Sequence, residues 1–346
     1  MPAAALPHVD VGEGSGPEQE GVRGGLDDYQ ILNKVGEGSY GIVFKARKKE
    51  TGDTVALKKM ELDKEAVREI RLLRSLPRHP CIVGLKAVVS DGGGSPIPSV
   101  YMVMEYSHYD LSRVIRGAEH PLKEDEAKHL MHQLLQGVNF LHANGVLHRD
   151  LKTSNLLVNR KGELKVCDFG MSRRCIDGAG VTTQQPYTKD VGTLRYKAPE
   201  LLLKAEGYSS AVDMWSVGCI MAELLRRAPL FPGRSELDQL HQIFGVLGVP
   251  DEASWPGFAS LCVKMNVVFA CAGAQPSSSK LKEKLPPSSL SKAGYDLLAR
   301  LLAYNPSRRL TAEEALNHPW FRNSQRPLGR VCHWFRHLTK TSCCCR

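Results

Sequence analysis

Two short motifs at a fixed separation restrict this chain more than any other part of its sequence. The first reads His-Arg-Asp-Leu-Lys-Thr-Ser-Asn at residues 148–155, and the second reads Asp-Phe-Gly at residues 168–170. Together they place a base, a cation and two metal-binding groups on adjoining loops. Phosphoryl transfer needs this combination, because it depends on an oriented hydroxyl, neutralised phosphate charge and bound magnesium. The motifs therefore predict phosphoryl transfer.

Four residues of these motifs have predicted roles. Asp150 would accept the proton of a substrate hydroxyl or orient that hydroxyl, and Lys152 would reach the transferring phosphate. Asn155 and Asp168 supply oxygen atoms, which suit a hard cation such as Mg²⁺. Each residue alone has a simpler reading, since an aspartate in a loop is usually a turn or cap residue. The combination and its spacing favour the catalytic reading.

A glycine pattern upstream predicts where the nucleotide binds. Such a pattern also fits a dinucleotide fold, but residues 29–32 and 42–46 both have the composition of short strands. The glycines would then cap a β-hairpin, and the backbone amides of the loop would cover triphosphate oxygens. The expected nucleotide contacts are Val35, Gly36, Glu37, Gly38, Ser39, Tyr40, Gly41, Ile42 and Val43.

A lysine and a glutamate downstream of this loop form a predicted ion pair. Lys58 ends an apolar strand-like run, where it would bind the α- and β-phosphates. Glu69 lies on a segment with helical periodicity and would hold Lys58 in place. The simpler readings are an exposed strand lysine and one more surface glutamate on an amphipathic helix.

From residue 29 to residue 321 the chain resembles a eukaryotic protein kinase. The resemblance includes Ala-Pro-Glu at 198–200, Asp-Met-Trp-Ser-Val-Gly at 213–218, and Arg309 ahead of His-Pro-Trp-Phe at 318–321. It implies an α+β fold with two lobes, the first rich in β-strands (29–106) and the second helical (107–321). It also implies ATP and Mg²⁺ as cofactors, and an ion pair between Glu200 and Arg309.

More narrowly, the chain resembles cyclin-dependent kinases. The signs are Gly-Glu-Gly-Ser-Tyr-Gly at 36–41, Arg68-Glu69, the three leucines at 201–203 and Pro-Leu-Phe-Pro-Gly at 229–233. Thr153 stands where many members have proline, which is most similar to the branch linked to transcription and splicing. Proteins with Ser or Thr acceptors are the implied substrates, and a cyclin is a candidate partner.

The resemblance assigns further residues of the nucleotide site. Met104 matches the gatekeeper, Glu105 and Ser107 would offer backbone groups to adenine, and Asp110 would contact ribose. Apolar contacts to the base are expected from Val43, Ala56 and Leu157, which would also serve as ordinary core residues.

It also implies a phosphorylation site and a determinant of acceptor type. Thr188 matches the activating phosphosite, and Arg68, Arg149 and Arg173 would bind its phosphate, unless they are merely scattered surface arginines. Thr193 matches the threonine that contacts the catalytic Asp and Lys in serine/threonine kinases.

Three departures from the family pattern matter. Only 11 positions separate Lys58 from Glu69, whereas relatives carry a longer segment that forms much of the cyclin-binding face, so we expect the helix carrying Glu69 to be poorly anchored. Arg195, Lys197 and Gly192 replace the usual Trp, Arg and a bulky residue, which leaves proline-directed specificity open. Residues 177–185 form an insertion that we expect to be mobile.

The ends of the chain have no predicted fold. Residues 1–26 lack a basic start and a long apolar run, so we expect a disordered segment rather than a signal peptide. The tail, residues 322–346, carries five Arg, one Lys and no acid out of a net charge of +9, and it ends in a cysteine cluster. A solvated basic tail is favoured over nucleic-acid binding or lipidation, and no segment is long enough to span a membrane.

The sequence therefore favours an intracellular serine/threonine kinase of the cyclin-dependent type, nuclear or cytoplasmic, acting in the cell cycle or in transcription. A cyclin-independent kinase and a non-catalytic scaffold with a kinase fold are the alternatives. Helices are expected at 124–143, 209–227, 236–247, 292–303 and 311–317.

Overall fold

The computed structural model describes residues 25–38, 41–90, 99–174, 192–205, 207–264, 279–285 and 288–322. The predictions for Ser39, Tyr40 and Thr188 lie outside these residues. So do those for the segment up to residue 24, for the insertion at 177–185 and for the tail after Arg322.

The first lobe is built on a five-stranded antiparallel sheet. Its strands are ordered β1-β2-β3-β5-β4, and each pairs with its neighbour in antiparallel register. The strands are β1 (Tyr29–Gly38), β2 (Gly41–Lys48), β3 (Thr54–Glu61), β4 (Leu85–Ser90) and β5 (Ser99–Glu105). The predicted hairpin around the glycine pattern is therefore confirmed for the strands on either side of residues 39 and 40.

Alternation along β3 divides its side chains between the two faces of the sheet. Val55 and Leu57 pack into an outer-sheet cluster, which also contains Ala46, Val89, Tyr101 and Val103. Ala56 and Lys58 lie on the opposite face and line a cleft between the lobes. A nearly continuous apolar run is expected for a strand that is buried on both faces.

Helix α1 (Lys64–Ser75) carries Glu69, and it is firmly attached. The side chain of Asp63 caps it by accepting hydrogen bonds from the amides of Glu65 (2.9 Å) and Ala66 (2.7 Å). Ala66, Ile70, Leu72 and Leu73 are buried in the main core. The expectation of a poorly anchored helix was therefore wrong, because the cap and the buried face compensate for its short connection.

The second lobe is predominantly helical, as predicted. Its helices are α2 (Leu111–Gly117), α3 (Glu124–Ala143), α4 (Pro199–Leu202), α5 (Ala211–Arg226), α6 (Glu236–Leu247), α7 (Phe258–Lys264), α8 (Leu281–Lys284), α9 (Lys292–Leu301) and α10 (Ala312–Leu316). The predicted bounds of α3 and α6 are confirmed, and α5, α9 and α10 are one or two residues shorter at their ends.

Short strands hold the loops that carry the two motifs. They are β6 (Tyr109–Asp110), β7 (Val146–Leu147), β8 (Leu156–Val158), β9 (Leu164–Val166) and β10 (Arg173–Arg174). Strands β6, β8 and β9 form one small antiparallel sheet, and β7 pairs with β10. Residues 148–155 therefore lie between β7 and β8, and residues 168–170 lie between β9 and β10.

A buried ion pair joins two distant parts of the second lobe. Arg309 donates two hydrogen bonds to the Glu200 carboxylate, at 2.7 and 3.1 Å, and a third to the carbonyl of Ala211 at 2.6 Å. Its guanidinium also lies over the ring of the buried Trp215. This geometry confirms the predicted pairing of Glu200 with Arg309.

Within the described residues, none of the helices combines the length and the apolar character that crossing a bilayer requires.

Candidate active site

The backbone of the catalytic loop is fixed by a buried aspartate on α5. Asp213 accepts hydrogen bonds from the amides of His148 (2.9 Å) and Arg149 (2.8 Å), and from the ring of His142 (2.9 Å). Burial acts to raise the pKa of Asp213, but the bonds and charges from His142, His148 and Arg149 outweigh it and hold the pKa below its ordinary value. Arg149 can thereby keep a left-handed φ of 66°.

Asp150 lies at the centre of a hydrogen-bonded group. Its Oδ1 accepts from the amide (2.9 Å) and the hydroxyl (2.8 Å) of Thr193, and its Oδ2 accepts from Lys152 Nζ (2.7 Å) and Asn155 Nδ2 (3.2 Å). Lys152 Nζ also contacts Thr193 Oγ1 at 3.0 Å. The structure therefore brings together all four residues that were predicted to be catalytic.

A cleft with a cavity volume of about 780 Å³ lies between the lobes. Nearly all the predicted nucleotide contacts line it: Val35, Gly36, Glu37, Gly38, Gly41, Val43, Ala56, Lys58, Glu69, Met104, Glu105, Ser107, Asp110 and Leu157. Ile42 is not among the lining residues, because side chains alternate along β2 and Val43 takes the inward position. Contact of Ile42 with the nucleotide stays a prediction.

Lys58 is held by carboxylates from two directions. Its Nζ lies 2.9 Å from both oxygens of Glu69 and 3.1 Å from Oδ1 of Asp168. Burial acts to lower the pKa of Lys58, but Glu69 and Asp168 outweigh it and raise the pKa, so the ammonium group stays charged. Burial raises the pKa of Glu69, and the charge of Lys58 acts in the opposite direction without cancelling the rise.

The edge of the cleft behind the expected adenine position runs from Met104 to Asp110. Met104 pairs with Ala56 across β3 and β5, which places the gatekeeper position beside a predicted base contact. Asp110 caps α2 by accepting from the amide of Arg113 at 2.9 Å, so its carboxylate has a fixed position at the cleft. Contact of Asp110 with ribose stays a prediction.

Asn155 and Asp168 are the two predicted metal ligands, and both line the cleft. Asn155 Nδ2 donates to the carbonyl of Asp150 at 2.9 Å, which fixes the side-chain amide by its nitrogen end. Asp168 has a left-handed φ of 66°. An amide oxygen and a carboxylate are hard donors of the kind that Mg²⁺ prefers, so the donor set fits that ion.

Three arginines from separate elements form a positively charged cluster. Burial lowers the pKa of Arg68, and the neighbouring charges of Arg173 and Arg149 lower it further. The Arg149 guanidinium donates to the carbonyl of Met171 (2.7 Å) and to the Tyr208 hydroxyl. Like charges held together in this way suit a phosphate, but Thr188 lies outside the described residues and its role stays a prediction.

The segment after Thr188 contains two residues that depart from the family pattern, Gly192 and Lys197. Gly192 has a φ of 88°, and a Cβ there would lie 2.9 Å from the carbonyl oxygen of Arg149. Lys197 is buried and donates one bond to Glu236 at 3.0 Å. Glycine thus provides the required backbone geometry, and Lys197 has Glu236 as its one carboxylate partner among the described residues.

The sequence reasoning missed a buried network behind the catalytic loop. Glu223 on α5 accepts from the Tyr196 hydroxyl (2.5 Å) and the Thr153 hydroxyl (3.3 Å), and these two hydroxyls are 3.1 Å apart. Burial, followed by the charge of Glu223, raises the pKa of Tyr196, so the phenol stays protonated. Thr153 in place of proline was the only signal, because Glu223 belongs to none of the motifs used.

Comparison with known proteins agrees with this geometry. The protein kinase domain model matches residues 29–321. The rice (Oryza sativa subsp. indica) protein cyclin-dependent kinase G-2 is 50% identical over 319 residues, which cover 88% of this chain and 43% of the relative. The rice (subsp. japonica) putative cyclin-dependent kinase F-2 is 47% identical over 311 residues, 87% of this chain and 92% of the relative. Human cyclin-dependent kinase 11B is 42% identical over 319 residues, 90% of this chain and 38% of the relative.

Proposed function

The chain belongs to the protein kinase family and, within it, to the cyclin-dependent kinases; from this premise we propose that it transfers the γ-phosphate of ATP to Ser or Thr hydroxyls of proteins. It spans less than half the length of the kinase G-2 relative, so the activity is proposed for the kinase domain. The observation that carries the proposal is the group around Asp150, in which Lys152, Asn155 and Thr193 all bond one carboxylate.

Each residue of this group has a distinct task. Asp150 accepts a hydrogen bond from the substrate hydroxyl and takes its proton as the phosphoryl bond forms. Lys152 places positive charge beside the transferred phosphoryl group. The Thr193 hydroxyl bonds both Asp150 and Lys152 and so fixes their relative positions. Lys58, charged and held by Glu69, binds the phosphates on the opposite side of the cleft.

Mg²⁺ is the proposed metal, with Asn155 and Asp168 as its protein ligands. When bound, the ion neutralises phosphate charge and orients the nucleotide. Because Asp168 also contacts Lys58 at 3.1 Å, the lysine restrains the carboxylate that would hold the ion.

The first test replaces Asp150 with Asn, which keeps the size of the side chain and removes the base. Phosphate transfer to a generic protein substrate is expected to fall by at least about a hundredfold, since general base catalysis contributes about 10² to 10⁴. Asp125→Asn, an exposed position on α3, is the matched control and should leave the rate unchanged. Unchanged transfer by Asp150→Asn would contradict the proposal.

A non-catalytic scaffold is the competing function. It predicts binding of Mg-ATP without turnover, even when Thr188 is phosphorylated. The complete set of Lys58, Asp150, Asn155 and Asp168 in bonded positions supports the enzyme instead. Measuring nucleotide binding and turnover on the same sample separates the two.

Proline-directed selection is the finer proposal for substrates. The left-handed backbone at Gly192 supports it, whereas Lys197, which pairs with Glu236, lacks the bidentate fork of an arginine and weakens it. Comparing kcat/KM for peptides with Pro or Ala after the phosphoacceptor decides it, and equal values would exclude proline-directed selection.

A cyclin is the proposed class of partner, on the basis of the kinship with cyclin-dependent kinases. A pull-down for an associated cyclin, with activity measured before and after its removal, tests this. Full activity without a cyclin would favour the cyclin-independent alternative.

A further inference from the structure

The connection between β3 and α1 is unusually short. Strand β3 ends at Glu61 and α1 begins at Lys64, so only Leu62 and Asp63 lie between them. The Asp63 amide donates to the carbonyl of Glu61 at 2.9 Å, which closes a tight turn around Leu62. The connection is therefore a short, hydrogen-bonded turn, with very little slack.

Asp63 belongs to the turn and to the helix at the same time. Its side chain accepts from the amides of Glu65 and Ala66, and its carbonyl accepts from the Val67 amide at 3.1 Å. One residue thus links the end of the sheet to the first turn of α1. If the cap were lost, the first turn of the helix would lose two of its hydrogen bonds.

Both members of the Lys58–Glu69 pair flank this connection. Lys58 precedes the end of β3 by three residues, and Glu69 follows the start of α1 by five. Because an extended chain spans at most about 3.6 Å per residue, the start of α1 can lie no more than roughly 11 Å from the end of β3. The helix therefore cannot move far from the strand that carries its lysine partner.

The buried face of α1 attaches the helix to the main core. Ala66, Ile70 and Leu73 lie in the main core, and both oxygens of Glu69 accept hydrogen bonds from Lys58 at 2.9 Å. These contacts form within a single chain. The core face of α1 and the Lys58–Glu69 pair therefore restrain the helix from two sides.

We propose that the two-residue link, with Asp63 as a positioning residue, holds α1 where Glu69 pairs with Lys58. This step in assembling the site then needs no partner subunit. The inference rests on the proposed kinase function and specifies how that site is regulated: a partner, where one binds, acts on some other step.

The strength of the restraint can be estimated from chain entropy. Seven Gly/Ser residues inserted between Leu62 and Asp63 lengthen the link from two to nine residues. With a cost that grows as 1.5 RT ln n, the longer link disfavours the paired position by a factor of about ten. The Asp63 cap is kept in this variant, whereas the turn closed by the Asp63 amide and the Glu61 carbonyl is lost together with the short link.

Hydrogen exchange of the α1 amides is the first measurement, and it does not require activity. In the wild-type chain without any partner, these amides should be protected, and the insertion should speed their exchange about tenfold. The matched control inserts the same seven residues after Gly52, in the turn between β2 and β3. That control should leave α1 unchanged.

Kinetics of the same variants form the second measurement. The insertion should lower kcat/KM by about tenfold, and the control insertion should not. Asp63→Ala should lower kcat/KM by about fivefold to tenfold, whereas Asp63→Asn, which keeps a capping oxygen, should restore most of it. A purely structural role would lower the unfolding temperature of Asp63→Ala but leave its kcat/KM unchanged at temperatures where the protein is folded.

The outcomes separate this inference from the proposed function. Equal α1 protection with and without the insertion would overturn the restraint, as would protection that appears only after a cyclin is added. If the wild-type chain transfers no phosphate but the insertion still speeds α1 exchange, the kinase function fails and the restraint stands.

Discussion

At the scale of single residues, the site depends on side chains and backbones that have few alternative positions. Asp150 receives four hydrogen bonds, and Lys58 lies between two carboxylates. Glycines matter where a side chain would meet the backbone of another strand. The sharpest such position is Gly41, at the start of β2.

Gly41→Ala should disrupt the glycine loop. Gly41 has a φ of 122°, and a Cβ there would lie 2.0 Å from the carbonyl oxygen of Lys59. Relief requires movement of β3, so we expect a loss of about 2 kcal/mol or more in unfolding free energy and a raised KM for ATP. Thermal unfolding should show a fall of about 4 to 8 °C.

Gly38→Ala is the matched control in the same loop. Among the described residues other than its chain neighbours, no atom lies within 4 Å of the Cβ position of Gly38, so the unfolding temperature of the Gly38→Ala variant should stay within about 1 °C of wild type. Equal losses of stability in the two variants would contradict the steric argument.

At the scale of elements, single buried groups join segments that are far apart in the chain. Glu223 on α5 ties Thr153 of the catalytic loop to Tyr196, three residues after Thr193. Arg309 ties α4 to the start of α5. Both contacts lie outside the cleft and affect it only through the elements they join.

Tyr196→Phe should weaken the catalytic group without touching nucleotide. The Glu223 carboxylate would lose its shortest hydrogen bond while remaining buried, which costs about 1 to 3 kcal/mol. We expect a lower kcat with an unchanged KM for ATP, measured by steady-state kinetics. Tyr295→Phe, on α9, is the control and should change neither; a raised KM in Tyr196→Phe would argue against a role through Thr193.

Arg309→Ala should be strongly destabilising, because it leaves the Glu200 carboxylate buried without its cation. Removing one partner of such a pair costs about 3 to 5 kcal/mol. Denaturant unfolding measures the loss. The double variant Glu200→Gln with Arg309→Met should lose less than Arg309→Ala alone, and a greater loss would show that packing, rather than the unpaired charge, dominates.

At the scale of the whole molecule, stability should fall in mild acid. Burial lowers the pKa of His79, His129 and His132, so the unfolded chain binds protons more readily than the folded one. The free energy of unfolding therefore falls as the pH drops below the histidine pKa of the unfolded chain, about 6.5. The contribution of these histidines is complete once the pH is below their pKa values in the folded chain.

Thermal unfolding at pH 7.5 and 5.5 measures this effect. The raised pKa of Glu223 acts in the opposite direction, so the slope of a variant must be compared with that of wild type. His129→Gln with His132→Gln should flatten the fall, whereas the exposed His120→Gln should not. Parallel slopes in all three proteins would refute the assignment.

The sequence was a good guide wherever spacing encodes chemistry. Residues 148–155 and 168–170 predicted the Asp150 group, and the periodicity of residues 124–143 predicted α3. It failed where the outcome depends on three-dimensional packing. Helix α1 is anchored by a cap and a buried face, and Glu223 acts through residues distant in sequence.

The position of the first-lobe strands in the chain has a consequence for folding during synthesis. All five strands lie between residues 29 and 105, so the sheet can close while the second lobe is still being translated. Lys58 then lacks its second carboxylate partner until Asp168 has been synthesised. At a synthesis rate of about 5 to 20 residues per second, Asp168 follows Glu105 by roughly 3 to 13 seconds. During that interval the incomplete nucleotide cleft is open to contact with ribosome-associated chaperones.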